Sequence, residues 1–429
     1  MRPMSRKTVR LNSLTSLRYF AAAAVVVTHV NPFFLTSALQ REATAYWYVG
    51  VSFFFMLSGF VLTWSCSWQP ARPFWWNRFS RIWPLQASMM IIVYVCLWDF
   101  VTHPPNAVGW ILQPFVLQAW DPNPRVYAGG NGPTWSLSCE FFFYAMFPLL
   151  IRVVRRLGPR GLALSAVVTV AVMGLVPALV GSHVSAATYL WLFYYLPGYR
   201  IGEFIIGMLL ARAVQLGLRF PRPSVGYLLG WGWVAAWVVL TTLYTRTHHG
   251  DPVARPFATM LVLPGFVLLV LVGASADLAG RTRLMGAWLP VKLGEWSFAL
   301  YLVQDGIISV LTRHLTLSKH ELALGGVLLL IFIAACTVVA AAAHYAIEKP
   351  AESWLRARGP GRRKPGDRPR PPEAGHRPRP PEAGDRPRPP EAGDRPRPPE
   401  AGHRPAENGW TGPRHRRTAA QPEPTYPTA

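Results

Sequence analysis

The chain has few of the residues that mark disulfide-rich, metal-binding or highly charged soluble proteins. It contains only four cysteines in 429 residues, Cys66, Cys96, Cys139 and Cys336, and no Cys-x-x-Cys pair. This spacing indicates neither a disulfide framework nor a zinc site. Charged residues make up only 15% of the chain, whereas they make up about a quarter of an ordinary soluble domain. The composition therefore disfavours a series of soluble domains.

What the chain does have is apolar sequence. Hydrophobic residues make up 51% of it, and 18 residues are tryptophan. Apolar runs of about 20 residues, the length required to cross a bilayer, recur between residues 13 and 347. They predict an all-α integral membrane protein with about ten transmembrane helices. The predicted spans are residues 14–30, 46–65, 83–102, 134–151, 161–180, 187–210, 225–243, 257–275, 293–312 and 322–346.

Basic residues predict the orientation of these spans. The net charge of +22 would suggest nucleic-acid binding in a soluble protein. Here the basic residues lie in short loops between apolar runs and in the C-terminal tail. Because basic loops stay on the cytoplasmic side of a membrane, nucleic-acid binding is not supported. With ten spans all the basic loops fall on one side, and both termini are predicted to be cytoplasmic.

One apolar segment is too short to be counted as a span. Residues 107–120 are apolar but are interrupted by Pro114. An eleventh span here would move the RVVRR cluster to the outer side, against the positive-inside rule. We therefore expect this segment to lie in the interface or to re-enter the membrane.

The C-terminal tail, residues 349–429, has a different composition. From Gly366 it carries a nine-residue repeat that begins GDRPRPPEA. With almost no apolar residues it cannot form a core, so it is predicted to be extended and disordered. A spacer is the simpler interpretation, and a ligand for a proline-recognising protein or anionic lipid is the alternative. The predicted domains are a basic cytoplasmic N-terminus (1–12), a transmembrane domain (13–348) and this tail (349–429).

Charged side chains within membrane spans are functional candidates by default. Arg18 and His29 both lie in the first span. Eleven residues at about 100° each bring the two onto one face, roughly 16 Å apart along the helix axis. The alternative is that Arg18 reaches toward the lipid headgroups and His29 only packs.

Two arginines lie one helical turn apart after the second span. Side chains of Arg78 and Arg81 are neighbours on a helix, and arginine grips phosphate through a bidentate fork. The pair predicts an anion site at the cytoplasmic surface. Simple anchoring by positive charge is the alternative.

Glu140 lies near the outer end of the fourth span. A carboxylate at this depth can orient a histidine or accept a proton from it. Its alternative role is to pair with an arginine such as Arg200. The other acidic residues at membrane depth, whose partners the sequence does not reveal, are Glu203, Glu295 and Asp305.

Seven segments occur in an order typical of one enzyme family. They are Arg18 to His29, VSFFFMLSGFVL (51–62), the R-x-x-R-I-x-P motif from Arg78 to Pro84, the block from Trp135 through Glu140 to Pro148, RIGEFIIGMLL (200–210), LGEWSFALYLVQ (293–304) and IEKPAESWL (347–355). Over residues 11–356 the chain resembles the acyltransferase-3 family of bacterial membrane O-acyltransferases.

The resemblance implies a multi-pass enzyme of the bacterial inner membrane without a bound cofactor or metal. It implies transfer of an acyl group, commonly acetyl, from a cytoplasmic acyl-CoA to a hydroxyl. The acceptors it suggests are a sugar, a glycolipid, a cell-wall glycan or a macrolide-type metabolite. Carried over by position, His29 is the general base or acyl acceptor, and Glu140 is the second catalytic candidate. Arg18, Arg78 and Arg81 are expected to bind the phosphates of the donor.

The chain departs from the family pattern at two places. The family often has a histidine after the Tyr-Leu of the ninth predicted span, where this chain has Gln304. No fused SGNH-type esterase domain is recognised. Two other functions stay open from the residues alone, a proton-coupled transporter or exporter and a membrane anchor that presents the tail.

Overall fold

A computed structural model of the chain describes residues 9–35, 37–66, 70–101, 104–248, 254–282, 284–314 and 322–360. All the regular structure within these ranges is helical, as predicted. The α-helices are α1 Asn12–Phe34, α2 Ala38–Thr44, α3 Gly50–Ser65, α4 Ala71–Ile91, α5 Ala107–Leu112, α6 Pro124–Tyr127, α7 Trp135–Val154, α8 Pro159–Val180, α9 Ala186–Leu190, α10 Pro197–Gln215, α11 Pro223–His248, α12 Ala254–Leu278, α13 Trp288–His314, α14 Leu322–Ala343 and α15 Lys349–Ala357. The repeat tail and most of the basic N-terminus lie outside the described residues.

Eight helical segments within these ranges are long and apolar enough to cross a membrane. They are Asn12–Val30, Ala38–Ser65, Ala71–Cys96, Gly132–Val154, Pro159–His183, Pro223–His248, Ala254–Leu278 and Gly326–Ala357. The other two predicted spans correspond to α10 and α13, which carry more charged residues, such as Glu203 and Asp305. The protein is thus a helical membrane protein, and the count of ten spans stays a prediction.

Two predicted span boundaries were wrong. Helix α4 begins at Ala71, well before the predicted start of the span at residue 83, and Arg78 and Arg81 lie on it as helix neighbours, as expected. The span predicted at 187–210 is broken at Leu196, which has an extended backbone (φ −64°, ψ 120°). A residue that precedes proline avoids the α conformation, so α10 starts at Pro197, a favourable first helical position.

The segment at 107–120 does not form a span, as expected. It consists of the short helix α5, a turn in which Val116 has a φ of 59°, and a single 3₁₀ turn. The indole N–H of Trp83 in α4 donates to the carbonyl of Pro114 in this segment (3.0 Å). Its position relative to the membrane interface stays a prediction.

Two very close helix contacts organise the centre of the bundle. A Cβ atom at Gly207 of α10 would lie 1.8 Å from the carbonyl oxygen of Met56 in α3. A Cβ atom at Gly294 of α13 would lie 1.8 Å from the carbonyl oxygen of Thr15 in α1. Only glycine permits backbones to approach this closely, which is how membrane helices pack in the absence of a hydrophobic driving force. Helices α1, α3, α10 and α13 are therefore held together around the centre.

Both ends of the described chain lie at one end of the bundle, which we call the basic end. Arg10, just before α1, forms an ion pair with Glu295 near the start of α13 (2.6 Å). The indole of Trp64 at the end of α3 donates to the carbonyl of Val9 (3.2 Å). The indole of Trp76 near the start of α4 donates to the carbonyl of Leu355 in α15 (2.9 Å). Helices α1 and α13 therefore start at the basic end, and α3 and α15 finish there.

Candidate active site

Four of the five predicted site residues line one cavity, which we call the inner cavity. It has a volume of about 100 Å³, and Arg18 of α1, Arg78 and Arg81 of α4 and Glu140 of α7 all border it. These residues are separated by up to 122 positions in the chain. The helix bundle thus gathers three cations and one carboxylate from three helices around a single space.

Arg18 and Arg78 have unused hydrogen-bonding capacity at this cavity. The Nε atom of each is buried and has no hydrogen-bond partner. The guanidinium of Arg18 lies 5.9 Å from the ring centroid of Phe54, and that of Arg78 lies 6.0 Å from the ring of Phe74. Buried polar groups are nearly always hydrogen-bonded, so two such donors beside a cavity indicate a site for an anionic or carbonyl-bearing ligand.

Arg81 differs because it already has acidic partners. Its guanidinium lies 3.5 Å from the carboxylate of Glu352 and 3.9 Å from that of Glu348. The carboxylate of Glu348 also lies 2.9 Å from Nδ1 of His344. Sequence reasoning missed these partners, although they belong to the IEKPAESWL segment. That segment was placed at the start of a disordered tail, whereas α15 is helical and packs against α4.

Glu140 lies in the inner cavity together with the three arginines. It accepts hydrogen bonds from Ser58 Oγ (3.0 Å) and from the hydroxyl of Tyr144 (3.3 Å). The cations whose charges act on it are Arg18 and Arg81. The alternative partner, Arg200, instead lies 3.2 Å from Glu203. The proposed pairing of Glu140 with Arg200 was therefore wrong.

His29 lies on the same unbroken helix as Arg18 but outside the lining of the inner cavity. Its Nδ1 atom lies 2.9 Å from the carbonyl oxygen of Val25, one turn earlier in α1. A proton on Nδ1 satisfies this carbonyl and leaves the lone pair on Nε2. This tautomer is the one that a general base requires.

The carboxylate whose charge acts on His29 is Asp305 of α13. The backbone N–H of Gly132 donates to Asp305 Oδ2 (3.0 Å). Sequence reasoning recorded Asp305 as a charge at membrane depth but did not connect it with His29. The only indication in the sequence was that Asp305 directly follows the LGEWSFALYLVQ segment.

A series of hydrogen bonds leads from the lining of the inner cavity toward Asp305. The hydroxyl of Tyr301 lies 2.7 Å from Ser136 Oγ and donates to the carbonyl of Pro133 (2.7 Å). Tyr301 and Ser136 line the inner cavity, and Pro133 follows Gly132, which binds Asp305. The neighbouring Gln304 is buried, and its Oε1 atom has no hydrogen-bond partner. The hydrogen bonds of Tyr301 and of Asp305 thus meet at the neighbouring residues Pro133 and Gly132.

Comparison with known proteins agrees with the motifs. A family model described as an acyltransferase domain, that of the acyltransferase-3 family, matches residues 11–346. Acyltransferase MdmB from Streptomyces mycarofaciens is 34% identical over 389 residues, which cover 84% of this chain and 95% of that protein. No solved structure is significantly similar to the chain. The chain therefore belongs to the acyltransferase-3 family and is a membrane enzyme that transfers acyl groups other than aminoacyl groups.

Proposed function

We propose that the protein is an O-acyltransferase that moves an acyl group, in the simplest case acetyl, from a cytoplasmic acyl-CoA to a hydroxyl. The acceptor is a sugar, a glycolipid, a cell-wall glycan or a macrolide-type metabolite. The observation that carries this proposal is the gathering of Arg18, Arg78, Arg81 and Glu140 around the inner cavity, with His29 further along the helix that bears Arg18. An exporter would not require this arrangement, and the family membership does not favour it.

The proposed orientation follows from the distribution of charge. The loops between the spans are rich in arginine, and basic loops face the cytoplasm. We therefore place the basic end and both termini in the cytoplasm, with ten spans in a bacterial inner membrane. A donor from the cytoplasm then enters at the basic end, and the acceptor meets it near His29.

Arg18, Arg78 and Arg81 are assigned to donor binding. The unsatisfied Nε atoms of Arg18 and Arg78 support this assignment, because a bound acyl-CoA supplies the missing acceptors. Arg81 contributes charge, although Glu352, 3.5 Å away, neutralises part of it. No metal or resident cofactor is needed in this scheme, since the acyl-CoA is itself a substrate.

The proposed reaction is a single acyl transfer assisted by His29. The acceptor oxygen attacks the thioester carbonyl as Nε2 of His29 takes the hydroxyl proton. The new C–O bond forms, the C–S bond breaks, and the imidazolium returns the proton to the departing thiolate. The negative charge of Asp305 stabilises the imidazolium between these steps. Glu140 is the second acid–base candidate, because it is the carboxylate that lines the inner cavity.

The test compares His29→Ala with the wild type in a host that lacks the gene. Lipid, glycan and secreted small-molecule fractions are searched by mass spectrometry for species that differ by one acyl group. We expect the product with the wild type and a loss of at least about 100-fold with His29→Ala, which is the lower range for a general base. His183→Ala, which alters an exposed histidine, is the matched control and should retain activity.

Two outcomes would contradict the proposal. Full activity of a correctly inserted His29→Ala variant would remove His29 from the chemistry. Movement of an unmodified metabolite between cell and medium, without any acylated product, would instead support an exporter.

A further inference from the structure

A second pocket opens at the basic end, and we call it the basic pocket. It has a volume of about 270 Å³ and is bordered by the end of α3, the start of α4, the end of α7 and α15. Four arginines line it: Arg78, Arg152, Arg155 and Arg356. Among the described residues that border it, none is Asp or Glu. The pocket is therefore strongly positive.

The basic pocket adjoins the inner cavity. Leu62 and Arg78 line both spaces, so Arg78 stands at the junction between them. A single ligand that fills both must be long, must be anionic at the end in the basic pocket, and must be narrower where it passes Arg78. A nucleotide joined to an extended arm has this form.

The arginines of the basic pocket are only partly neutralised. Arg356 is paired with Glu352 (2.5 Å), and Arg155 donates to the carbonyl of Cys66 (2.8 Å). Within the described ranges no carboxylate lies within ion-pair distance of Arg78 or Arg152. Clustered cations of this kind repel one another, and an anion with several oxygens relieves the repulsion.

One wall of the basic pocket suits a planar base. The rings of Phe74 and Phe147 both line the pocket and stack on each other at 5.1 Å with an interplanar angle of 23°. An aromatic wall of this kind offers a surface for a flat heterocycle. Asn77 lies in the same lining and offers an amide donor and acceptor for the edge of a base.

We propose that the basic pocket binds the phosphorylated nucleotide end of the acyl-CoA donor, with Arg78 and Arg152 as the main phosphate ligands. The pantetheine arm passes Leu62 and Arg78 into the inner cavity, where Arg18 faces the thioester end. This assignment rests on the proposed function and adds Arg152, Arg155 and Arg356 to the donor site. It also divides the roles of the arginines, because Arg18 and Arg81 line only the inner cavity.

The first test measures binding of coenzyme A, 3′-dephospho-coenzyme A and pantetheine to the full chain in phosphatidylcholine nanodiscs. We expect the wild-type protein to bind these three probes in descending order of affinity. Arg152→Gln should weaken coenzyme A binding by about 10- to 100-fold, the value of one charge-assisted hydrogen-bond site, while pantetheine binding stays unchanged. KM for the acyl-CoA should rise by a similar factor while kcat stays the same. Arg156→Gln, an exposed arginine outside the pocket lining, is the matched control and should behave as the wild type.

A second measurement uses Cys66, which borders the basic pocket. Burial raises the pKa of the Cys66 thiol, so maleimide labelling is carried out at alkaline pH. A Cys96→Ser background removes the exposed cysteine, while Cys139 and Cys336 are buried. The ligands used here are acetyl-coenzyme A and S-acetyl-pantetheine, which have no free thiol to consume the maleimide. Acetyl-coenzyme A should protect Cys66 from labelling, and S-acetyl-pantetheine should not.

Three results would overturn the assignment, and they differ from one another. If Arg152→Gln and Arg356→Gln bind coenzyme A as the wild type does, and acyl transfer continues, the basic pocket is not the nucleotide site although the proposed function stands. If phosphatidylglycerol in the nanodisc protects Cys66 from labelling and acetyl-coenzyme A does not, the pocket holds a lipid headgroup. If the wild type neither binds coenzyme A nor uses any acyl-CoA, the proposed donor itself is wrong.

Discussion

The bundle contains two sets of arginine and glutamate at membrane depth, and they differ in the space beside them. Arg200 and Glu203 are almost completely inaccessible, at 1% and 0% exposure, and the rings of Phe55, Trp135 and Tyr194 surround the guanidinium. Arg18 and Glu140 instead border the inner cavity. Phe55 lies between the two sets, because it also lines that cavity. Identical residue types thus serve packing in one place and, as we propose, substrate binding in the other.

The largest effect should be the loss of stability on disrupting the buried pair of Arg200 and Glu203. Glu203→Ala leaves Arg200 charged without its carboxylate partner, which costs about 3–5 kcal/mol in stability for a buried pair. We expect a large drop in thermal stability and in the yield of monodisperse protein. Glu295→Ala disrupts the partly exposed pair with Arg10 and should cost no more than about 1 kcal/mol. A wild-type Tm for Glu203→Ala would show that the enclosed pair does not stabilise the fold.

The next largest effect should be on catalysis rather than stability, and it should distinguish Arg18 at the inner cavity from the buried pair of Arg200 and Glu203. Arg18→Gln removes a cation from a cavity rather than from a packed interior, so folding should be largely preserved. We expect kcat/KM for the acyl-CoA to fall by about 100-fold, or about 2.7 kcal/mol, with little change in Tm. Arg10→Gln, a change at an exposed arginine before the same helix, serves as the control. A drop in Tm as large as that of Glu203→Ala would place Arg18 with the structural pair.

The smallest effect should come from Arg81, which combines features of both sets. It borders the cavity, but Glu352 lies 3.5 Å away and competes with any bound anion. Glu352→Gln removes that competing charge and should lower KM for the acyl-CoA by about fivefold or less, or about 1 kcal/mol, without changing kcat. An increase in KM would show instead that Glu352 holds Arg81 in its binding position.

The helices were the part of the fold that the sequence predicted best. Apolar runs of sufficient length leave the backbone no alternative to internal hydrogen bonds in a membrane, and nine of the ten predicted spans correspond to a long helix, while the span at 187–210 is broken at Leu196. The boundary at Leu196 and Pro197 could have been found from proline chemistry alone. The continuation through α15 could not, because its ordering depends on contacts of Trp76 and Arg81 with residues more than 270 positions away.

The candidate site was predicted in its members but not in its arrangement. Arg18 and Glu140 were singled out because a charge at membrane depth is costly enough to need a reason, and Arg78 and Arg81 because two arginines one helical turn apart form an anion site. Glu140 was expected near His29, since both were placed toward the outer side. Which helix faces turn toward each other depends on close contacts such as Gly207 against Met56. Hydropathy carries no information about such contacts, and so Asp305 was not connected with His29.

One feature of α1 has a consequence for substrate choice. Arg18 and His29 lie on one continuous helix, whose N-terminal end is held by the contact of Thr15 with Gly294. The continuous helix therefore fixes the separation between Arg18 and His29. A one-residue insertion between them would turn His29 by about 100° and move it about 1.5 Å. With an acyl-CoA donor bound as proposed, this fixed separation corresponds to the length of the pantetheine arm, which is the same in acetyl-CoA and in longer thioesters. Discrimination between short and long acyl chains then falls to side chains beyond His29, and the two properties can change independently in evolution.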